Sequence, residues 1–368
     1  MKAILTAHVL LLVCLAHGIG LGASPVNVQP LVKQTEATPQ TTKVLIDTDM
    51  GWDDILSILY LLKKTDIEIV GVLVTGCGET NLRWGKIIAL SLMEYAGRPN
   101  IPIAVGAEKP LAFAHVFPKL FRYDMNDMMG YLGSLSDDDS VCLDPRPAWR
   151  FLADTLDQAT EPIVILSLGG LTNIGRMLQE YPNAKLDKIK QIYAMGGAVY
   201  VDGNVALLNN ARKEWDQGPR YASNYKAEWN IFVDPVAAKL VFDSMIPLTL
   251  VPLDACNEVL LSPTAVEAIT ADDNLASLAK KILQVKTGTH NEGIPVPIFD
   301  PLATMVMAGG LPEYAYASLY LDVDVSDAEL DNRSGRTFPV DKGSRKINAV
   351  LGVSATQFAK EYKEVMNR

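Results

Sequence analysis

The sequence lacks the basic clusters that mark proteins binding nucleic acid or anionic membranes. Its 33 basic residues are outnumbered by 43 acidic ones, which gives a formal net charge of -10 at pH 7. A phosphate backbone or an acidic lipid surface would repel such a chain. We therefore expect no nucleic-acid partner, and no membrane partner for the mature protein.

Cysteine and histidine are also scarce, with four of each in the 368-residue chain. Cys14 lies in the apolar N-terminal segment, so Cys77, Cys142 and Cys256 remain and permit at most one disulfide within the chain. This excludes a disulfide-stapled scaffold. After the first two dozen residues, no apolar run is long enough to span a bilayer.

The first 23 residues are predicted to be a signal peptide. A basic residue, Lys2, precedes an apolar run over 3–16, and small residues follow it. An uncleaved anchor is the alternative, but the run is shorter than the roughly 20 residues of a spanning helix. Cleavage between Gly18 and Ser24 would leave a secreted protein.

Residues 24–42 form a predicted disordered spacer, since they are rich in Thr, Gln, Pro and Val without periodicity. Over 43–368, short β-branched runs alternate with amphipathic segments, and later strands are predicted at 162–170, 189–197 and 246–254. Strands that are apolar throughout indicate a parallel sheet covered by helices on both faces. The sequence predicts one α/β domain, a doubly wound Rossmann-like fold with a mostly parallel central sheet.

Four carboxylates occur where the first predicted strand gives way to a helix. Asp47, Asp49, Asp53 and Asp54 lie within eight residues, in the segment VLIDTDMGWDD. One or two of them could cap the helix, because carboxylates interact favourably with its N-terminus. Four such groups raise one another's pKa unless a cation shares them, and oxygen-only sites prefer hard ions. The cluster therefore predicts a Ca²⁺ or Mg²⁺ site.

Three further segments follow apolar runs, where ligands of such sheets bind. Residues 168–173 could offer backbone carbonyls to the same ion. Glu228 and Asn230 have the period-2 spacing that places side chains on one side of an extended segment. Asp234 and Asp300 each precede proline, which is typical of helix caps, although Asp300 could also close the metal site.

Seven short motifs, taken in order along the chain, resemble those of the inosine-uridine-preferring nucleoside hydrolase family, whose opening signature is DxDPGxDD. They are DTDMGWDD, LTNIG, MGG, GN, AEWN, DP and FDPLA. The resemblance covers residues 43–365. It implies the nucleoside hydrolase fold, a homo-oligomeric assembly, and calcium-dependent hydrolysis of the N-glycosidic bond of ribonucleosides to a free base and ribose.

The resemblance also implies roles for individual residues. The Ca²⁺ ligands would be Asp49, Asp54, the backbone oxygen of Thr172, and Asp300. Asp49 would in addition be the base that takes a proton from water, and Asp47 would support the site. The ribose would be bound by Asp53, Asn204, Glu228, Asn230 and Asp300.

Three positions depart from the family pattern. Phe299 stands where inosine-uridine enzymes have histidine, which predicts an aromatic wall and a preference for purine nucleosides; simple core packing is the alternative. Glu79 replaces the usual asparagine and would still accept hydrogen bonds from ribose. Met50 replaces the signature proline.

A long polar and aromatic segment separates Asn204 from Glu228, and from it Trp215, Tyr221 or Tyr225 is predicted to close over the base. The alternative is a surface loop without a functional role. The favoured function is thus a secreted, calcium-dependent purine nucleosidase. The alternatives are a catalytically silent nucleoside- or ribose-binding protein, and an aspartate-nucleophile phosphatase, in which the paired Asp53 and Asp54 have no place.

Overall fold

The computed structural model describes residues 41–128, 143–210, 223–287, 296–327 and 333–368. Within these ranges, no helix combines the length and apolar character needed to cross a bilayer. The predicted signal peptide, residues 24–40 of the spacer, Trp215, Tyr221, Cys142 and His290 lie outside the described residues. The domain boundaries stay predictions.

A nine-stranded sheet forms the centre of the fold, with the strand order β10-β13-β7-β6-β5-β1-β2-β3-β4. These strands are β1 Thr42–Thr48, β2 Ile67–Val74, β3 Ile103–Val105, β4 Leu143–Asp144, β5 Ile163–Ser167, β6 Ile189–Met195, β7 Leu248–Val251, β10 Ala315–Leu319 and β13 Ile347–Gly352. Neighbours pair in parallel except β10 and β13. Two small hairpin sheets join β8 Leu260–Leu261 to β9 Val296–Pro297 and β11 Leu321–Val323 to β12 Thr337–Pro339.

Helices connect and flank the strands. They are α1 Trp52–Leu62, α2 Leu82–Tyr95, α3 Lys119–Met128, α4 Ala148–Gln158, α5 Thr172–Glu180, α6 Val205–Asn210, α7 Trp229–Val233, α8 Pro235–Asp243, α9 Leu253–Cys256, α10 Pro263–Glu267, α11 Asn274–Thr287, α12 Asp300–Met307 and α13 Ala355–Met366, with a 3₁₀ turn at Leu186–Lys188.

The apolar core lies on both faces of this sheet. Side chains of a strand alternate between faces, so in β1 Val44 and Ile46 enter one buried cluster while Leu45 enters the other. The first cluster includes residues of α1, α2, α11, α12 and α13, and the second includes residues of α4, α5 and α8. Burial on both faces explains why the strands are apolar throughout. The predicted α/β fold with a mostly parallel sheet is confirmed.

The chain order creates a switch point beside β1. From β1 the chain adds β2, β3 and β4 on one side, then returns through β5 to the other side of β1. The carboxyl ends of β5, β1 and β2 are therefore adjacent. They stay joined past the strands, since Leu168 N donates to Asp47 O at 2.8 Å and Thr75 N donates to Thr48 O at 2.9 Å. This is the edge where open α/β sheets bind ligands.

Candidate functional site

The carboxylate of Asp49 is oriented by two backbone amides at the end of β1. Glu79 N donates to Oδ2 at 2.9 Å and Gly51 N donates to Oδ1 at 3.2 Å. The side chain is only 4% exposed. A Cβ at Gly78 would overlap Asp49 Oδ2, and one at Gly169 would lie 2.9 Å from Asp49 Cβ. Glycines on the two neighbouring strand exits thus make room for this one side chain.

Asp54 combines a capping contact with a place in the site. Gly51, the N-cap of α1, donates its N–H to Asp54 Oδ2 at 3.0 Å, and the hydroxyl of Thr48 donates to Asp54 Oδ1. The capping interpretation is therefore correct for one of the four carboxylates, without removing that group from the cluster.

Asp300 approaches the aspartates of α1 from across the fold. It is the first residue of α12, Phe299 is the N-cap, and Asp300 N donates to Asp53 Oδ2 at 3.4 Å. Three buried side chains each place one carboxylate oxygen within 4.8 Å of the other two. They are Asp53, Asp54 and Asp300. Asp300 therefore closes the cluster instead of capping its helix.

Burial and mutual repulsion raise the pKa of these carboxyls. Desolvation is the largest cause in each case; it raises the pKa of Asp53 to about 6 and that of Asp54 and Asp300 well above the ordinary value, with neighbouring carboxylates adding to the rise. A cation shared among the oxygens would relieve this repulsion. Three converging carboxylates with no nitrogen or sulfur donor fit a hard ion such as calcium.

The grouping differs from the predicted ligand set. Asp53, expected to bind ribose, lies with Asp54 and Asp300, whereas Asp49 is not part of that group of three. Thr172 is buried at the start of α5, and its hydroxyl donates to Asp234 Oδ2 at 2.9 Å. The roles of Asp49 and of the Thr172 carbonyl as calcium ligands stay predictions.

Asp47 lies near the end of β1 and is almost fully buried. Asn173 Nδ2 donates to its Oδ1 at 2.8 Å, while Oδ2 has no hydrogen-bond partner among the described residues. Burial raises the pKa of Asp47 to about 7. The supporting role of Asp47 stays a prediction.

Glu79 adds a further acidic group beside α1. Its carboxylate lies so close to Gly51 that a Cβ there would overlap Glu79 Oε2, and the same Cβ would be 2.9 Å from Asp54 Oδ2. Burial, followed by the charge of Asp53, raises the pKa of Glu79, and the ammonium group of Lys286 opposes that rise. Glu79 thus lies beside the start of α1, and its role in binding ribose stays a prediction.

Glu228 and Asn230 belong to the start of a helix, so the predicted extended segment is wrong. Glu228 is the N-cap of α7 and accepts N–H groups from Asn230 at 2.8 Å, Ile231 at 3.2 Å and Gly197 at 2.9 Å. Helical backbone there allows one carboxylate to reach two orphan amides. Asn204 Oδ1 accepts from Trp229 N at 3.1 Å.

Asn230 links two other strand exits. Its Nδ2 donates to Leu168 O at 2.9 Å and to Met195 O at 3.3 Å. Burial raises the pKa of Glu228 to about 7, and the charge of Asp49 contributes to the rise. These polar groups therefore lie on the same edge of the sheet as the carboxylates.

Asp234 caps α8 through Ala237 N at 3.0 Å, as predicted.

Of the residues predicted to contact the base, Phe299 and Tyr225 lie within the described part of the chain. Phe299 is half-buried and packs against the larger core cluster, which agrees with the packing alternative; its contact with the base stays a prediction. Tyr225 is 48% exposed in the loop before α7. His115 is buried, and its Nδ1 lies 2.7 Å from Phe232 O.

Met50 has a left-handed backbone conformation, with φ of 58°. Proline fixes φ near -65° and has no N–H, whereas Met50 N donates to Thr48 Oγ1 at 2.9 Å. Proline could therefore not occupy this position in this conformation. Methionine in place of the signature proline therefore accompanies a backbone conformation that proline could not adopt.

Sequence reasoning missed two cations near the carboxylates. Arg122 on α3 donates to Gly76 O and Gly78 O, and Lys286 on α11 lies with its Nζ 5.3 Å from the centroid of the Trp52 ring. Each comes from a segment without a recognisable motif. Only the tertiary fold brings them to this edge.

The raised pKa values predict that the calcium-free protein loses stability as the pH rises from about 4 to about 7. Folded Asp47 and Glu228, both with a pKa of about 7, keep protons that the unfolded chain has already released. We expect the Tm in chelator to be several degrees lower at about pH 7.5 than at about pH 5.

Thermal unfolding across this pH range measures the effect. Asp47→Asn should flatten the dependence, and saturating calcium is expected to oppose it, because a cation held by the cluster would favour the deprotonated groups. A Tm in chelator that rises with pH over this interval would contradict the raised pKa values of Asp47 and Glu228.

The family model described as "Inosine-uridine preferring nucleoside hydrolase" matches residues 44–360. A pyrimidine-specific ribonucleoside hydrolase, RihA of Salmonella enteritidis, is 27% identical over 263 residues, which cover 70% of this chain and 76% of the relative.

Two solved structures share the fold. A plant nucleoside hydrolase, the PpNRh1 enzyme, superposes with a TM-score of 0.73 at 22% identity and covers 89% of this chain and 99% of its own. A purine-preferring ribonucleoside hydrolase from Gardnerella vaginalis gives a TM-score of 0.68 at 24% identity, with coverage of 89% and 98%.

Proposed function

This chain belongs to the family of inosine-uridine preferring nucleoside hydrolases, and we propose that it is a secreted, calcium-dependent enzyme that hydrolyses purine ribonucleosides to a free base and ribose. The observation that carries the proposal is the convergence of Asp53, Asp54 and Asp300 at the carboxyl edge of the sheet. A homo-oligomeric assembly belongs to the same proposal.

Calcium would be held by the carboxylates of Asp54 and Asp300, together with Asp49 and the Thr172 carbonyl. When bound, it supplies a positive charge that orients the sugar hydroxyls and lowers the pKa of a neighbouring water. Asp53 and Glu79 offer carboxylate oxygens to ribose hydroxyls from one side of this cluster. Glu228, Asn230 and Asn204 would bind the sugar from the other strand exits.

Asp49 is the proposed general base. Its two hydrogen bonds, from Glu79 N and Gly51 N, fix the carboxylate before substrate arrives. Base catalysis requires an oxygen within hydrogen-bond reach of the attacking water, and such orientation reduces the cost of reaching that geometry. The surrounding carboxylates stabilise positive charge that develops on the sugar ring as the glycosidic bond breaks.

The purine preference rests on Phe299. A base stacked on its half-buried ring would gain apolar contact without a protonating histidine. RihA is named as pyrimidine-specific and the Gardnerella enzyme as purine-preferring, so family membership leaves both substrate classes open.

Phe299→Ala is expected to lower kcat/KM for inosine by about two- to tenfold more than for uridine, because stacking is worth about 0.5–1.5 kcal/mol. Steady-state kinetics on both substrates measures the ratio. Tyr95→Ala, which truncates another half-buried aromatic residue packed on the same core, serves as the matched control and should leave the ratio unchanged. Equal losses on the two substrates would argue for packing alone.

The function is tested by incubating the purified protein with inosine, guanosine, adenosine, uridine and p-nitrophenyl phosphate, with and without a calcium chelator. Ribose release that the chelator abolishes is the expected result. Phosphate release would instead indicate a phosphatase, and tight nucleoside binding without turnover would indicate a catalytically silent binding protein.

A further inference from the structure

The loop that follows β2 contacts the proposed base directly. It comprises residues 76–79; Gly78 packs against the Asp49 carboxylate, and Glu79 donates its N–H to Asp49 Oδ2 at 2.9 Å. Gly76 N donates to Ala107 O at 2.8 Å, which joins the loop to the exit of β3. The orientation of Asp49 therefore depends on the position of this loop.

Arg122 binds the carbonyl groups of the same loop. Its Nε donates to Gly78 O at 3.1 Å and its Nη2 donates to Gly76 O at 3.1 Å. The guanidinium is half-buried, and its charge interacts with that of Asp49. A planar fork can hold two acceptors at once with little loss of conformational entropy for each bond.

Helix α3, which carries Arg122, is held in place by aromatic packing. Phe121, next to Arg122, packs edge-on against Phe117 with ring centroids 5.7 Å apart, and Phe117 in turn contacts Trp229 at 4.6 Å. The helix is thus fixed to the aromatic cluster beside α7. Arg122 extends from that support to the loop that carries Gly78.

We propose that Arg122 is a positioning residue for Asp49, acting through the carbonyls of Gly76 and Gly78. It does not contact the reacting atoms. It holds the 76–79 loop so that the Glu79 N–H points at Asp49 and Gly78 stays against the carboxylate. The catalytic consequence rests on the proposed function, but the geometric consequence does not.

Arg122→Lys separates charge from geometry, because lysine keeps the cation but cannot form the planar fork. We expect kcat for inosine to fall at least about tenfold, because Asp49 loses its orientation, and KM to rise by a smaller factor, because displacement of the loop also moves Glu79. Lys119→Gln removes a cation from the exposed start of the same helix and should change neither value. An unchanged kcat, or a fall in Tm alone, would overturn the proposal.

Calcium affinity provides a readout that does not require turnover. Arg122→Lys should weaken calcium binding, measured by calorimetry, in the protein that has Asp49. In an Asp49→Asn background it should have no further effect, because the two changes act through one group. Equal weakening in both backgrounds would show that Arg122 acts elsewhere.

A crystal structure of the Arg122→Lys variant distinguishes failure of this inference from failure of the proposed function. The expected result is a displaced 76–79 loop, with Glu79 N beyond hydrogen-bond distance of Asp49 Oδ2. An undisturbed loop would refute the positioning role even if the wild-type protein hydrolyses nucleosides. A displaced loop would support it even if no nucleoside is cleaved.

Discussion

Asp49→Asn should lower kcat for nucleoside hydrolysis by about two to four orders of magnitude, the usual contribution of a general base. Asparagine keeps the size of the side chain and an acceptor for Glu79 N, but it cannot accept the proton of water. Burial raises the pKa of Asp49, so an ionised carboxylate there is costly in the calcium-free protein. The variant should therefore be at least as stable as wild type in chelator at neutral pH.

Steady-state kinetics and thermal unfolding together test this expectation. Asp243→Asn, which changes an exposed aspartate that pairs with Lys239 on α8, is the control and should retain full activity. Near-normal turnover in a folded Asp49→Asn protein would refute the base assignment. A large loss of stability in chelator would instead show that the carboxylate has a structural role.

Gly78→Ala should reduce kcat/KM by roughly 100-fold or more, since displacement of a catalytic group by about 1 Å costs that much. The added methyl group would overlap Asp49 Oδ2, so either the carboxylate or the 76–79 loop must move. Calcium affinity should fall at the same time if Asp49 is a ligand. Activity assays and calorimetry on one preparation measure both effects.

Gly352→Ala provides the matched control for this change. A Cβ at Gly352 on β13 would meet its nearest neighbour, Glu258 Oε2, at an ordinary 3.6 Å, and the residue lies outside the carboxylate cluster. This variant should behave as wild type. If Gly78→Ala were equally silent, Asp49 could tolerate displacement and its present geometry would not matter for catalysis.

The parts of the fold with strong local signals could be predicted from the sequence. The segment around β1 and α1 has an apolar run, four aspartates and a second apolar run in close succession, and the structure has Thr42–Thr48 and Trp52–Leu62 there. Strands β5, β6 and β7 lie within their predicted ranges. The carboxylates of Asp47, Asp49, Asp53 and Asp54 come from this same short segment, so their proximity follows from local structure.

The rest of the site depends on contacts between distant segments. Asp53 and Asp300 are 247 residues apart, and only packing of α12 beside α1 shows that they share a cluster. Glu228 and Asn230 have a spacing that fits a strand, yet the carboxylate of Glu228 stabilises a short helix instead. Arg122 reaches Gly78 across 44 residues without any motif that would identify it.

Diffraction from crystals grown in abundant calcium, with ribose present, tests the central claim most directly. We predict one calcium ion at the carboxyl edge of the sheet, with oxygens of Asp54 and Asp300 among its ligands and the hydroxyl groups of ribose beside it. A pocket without an ion under these conditions, with these carboxylates turned towards solvent, would contradict the account.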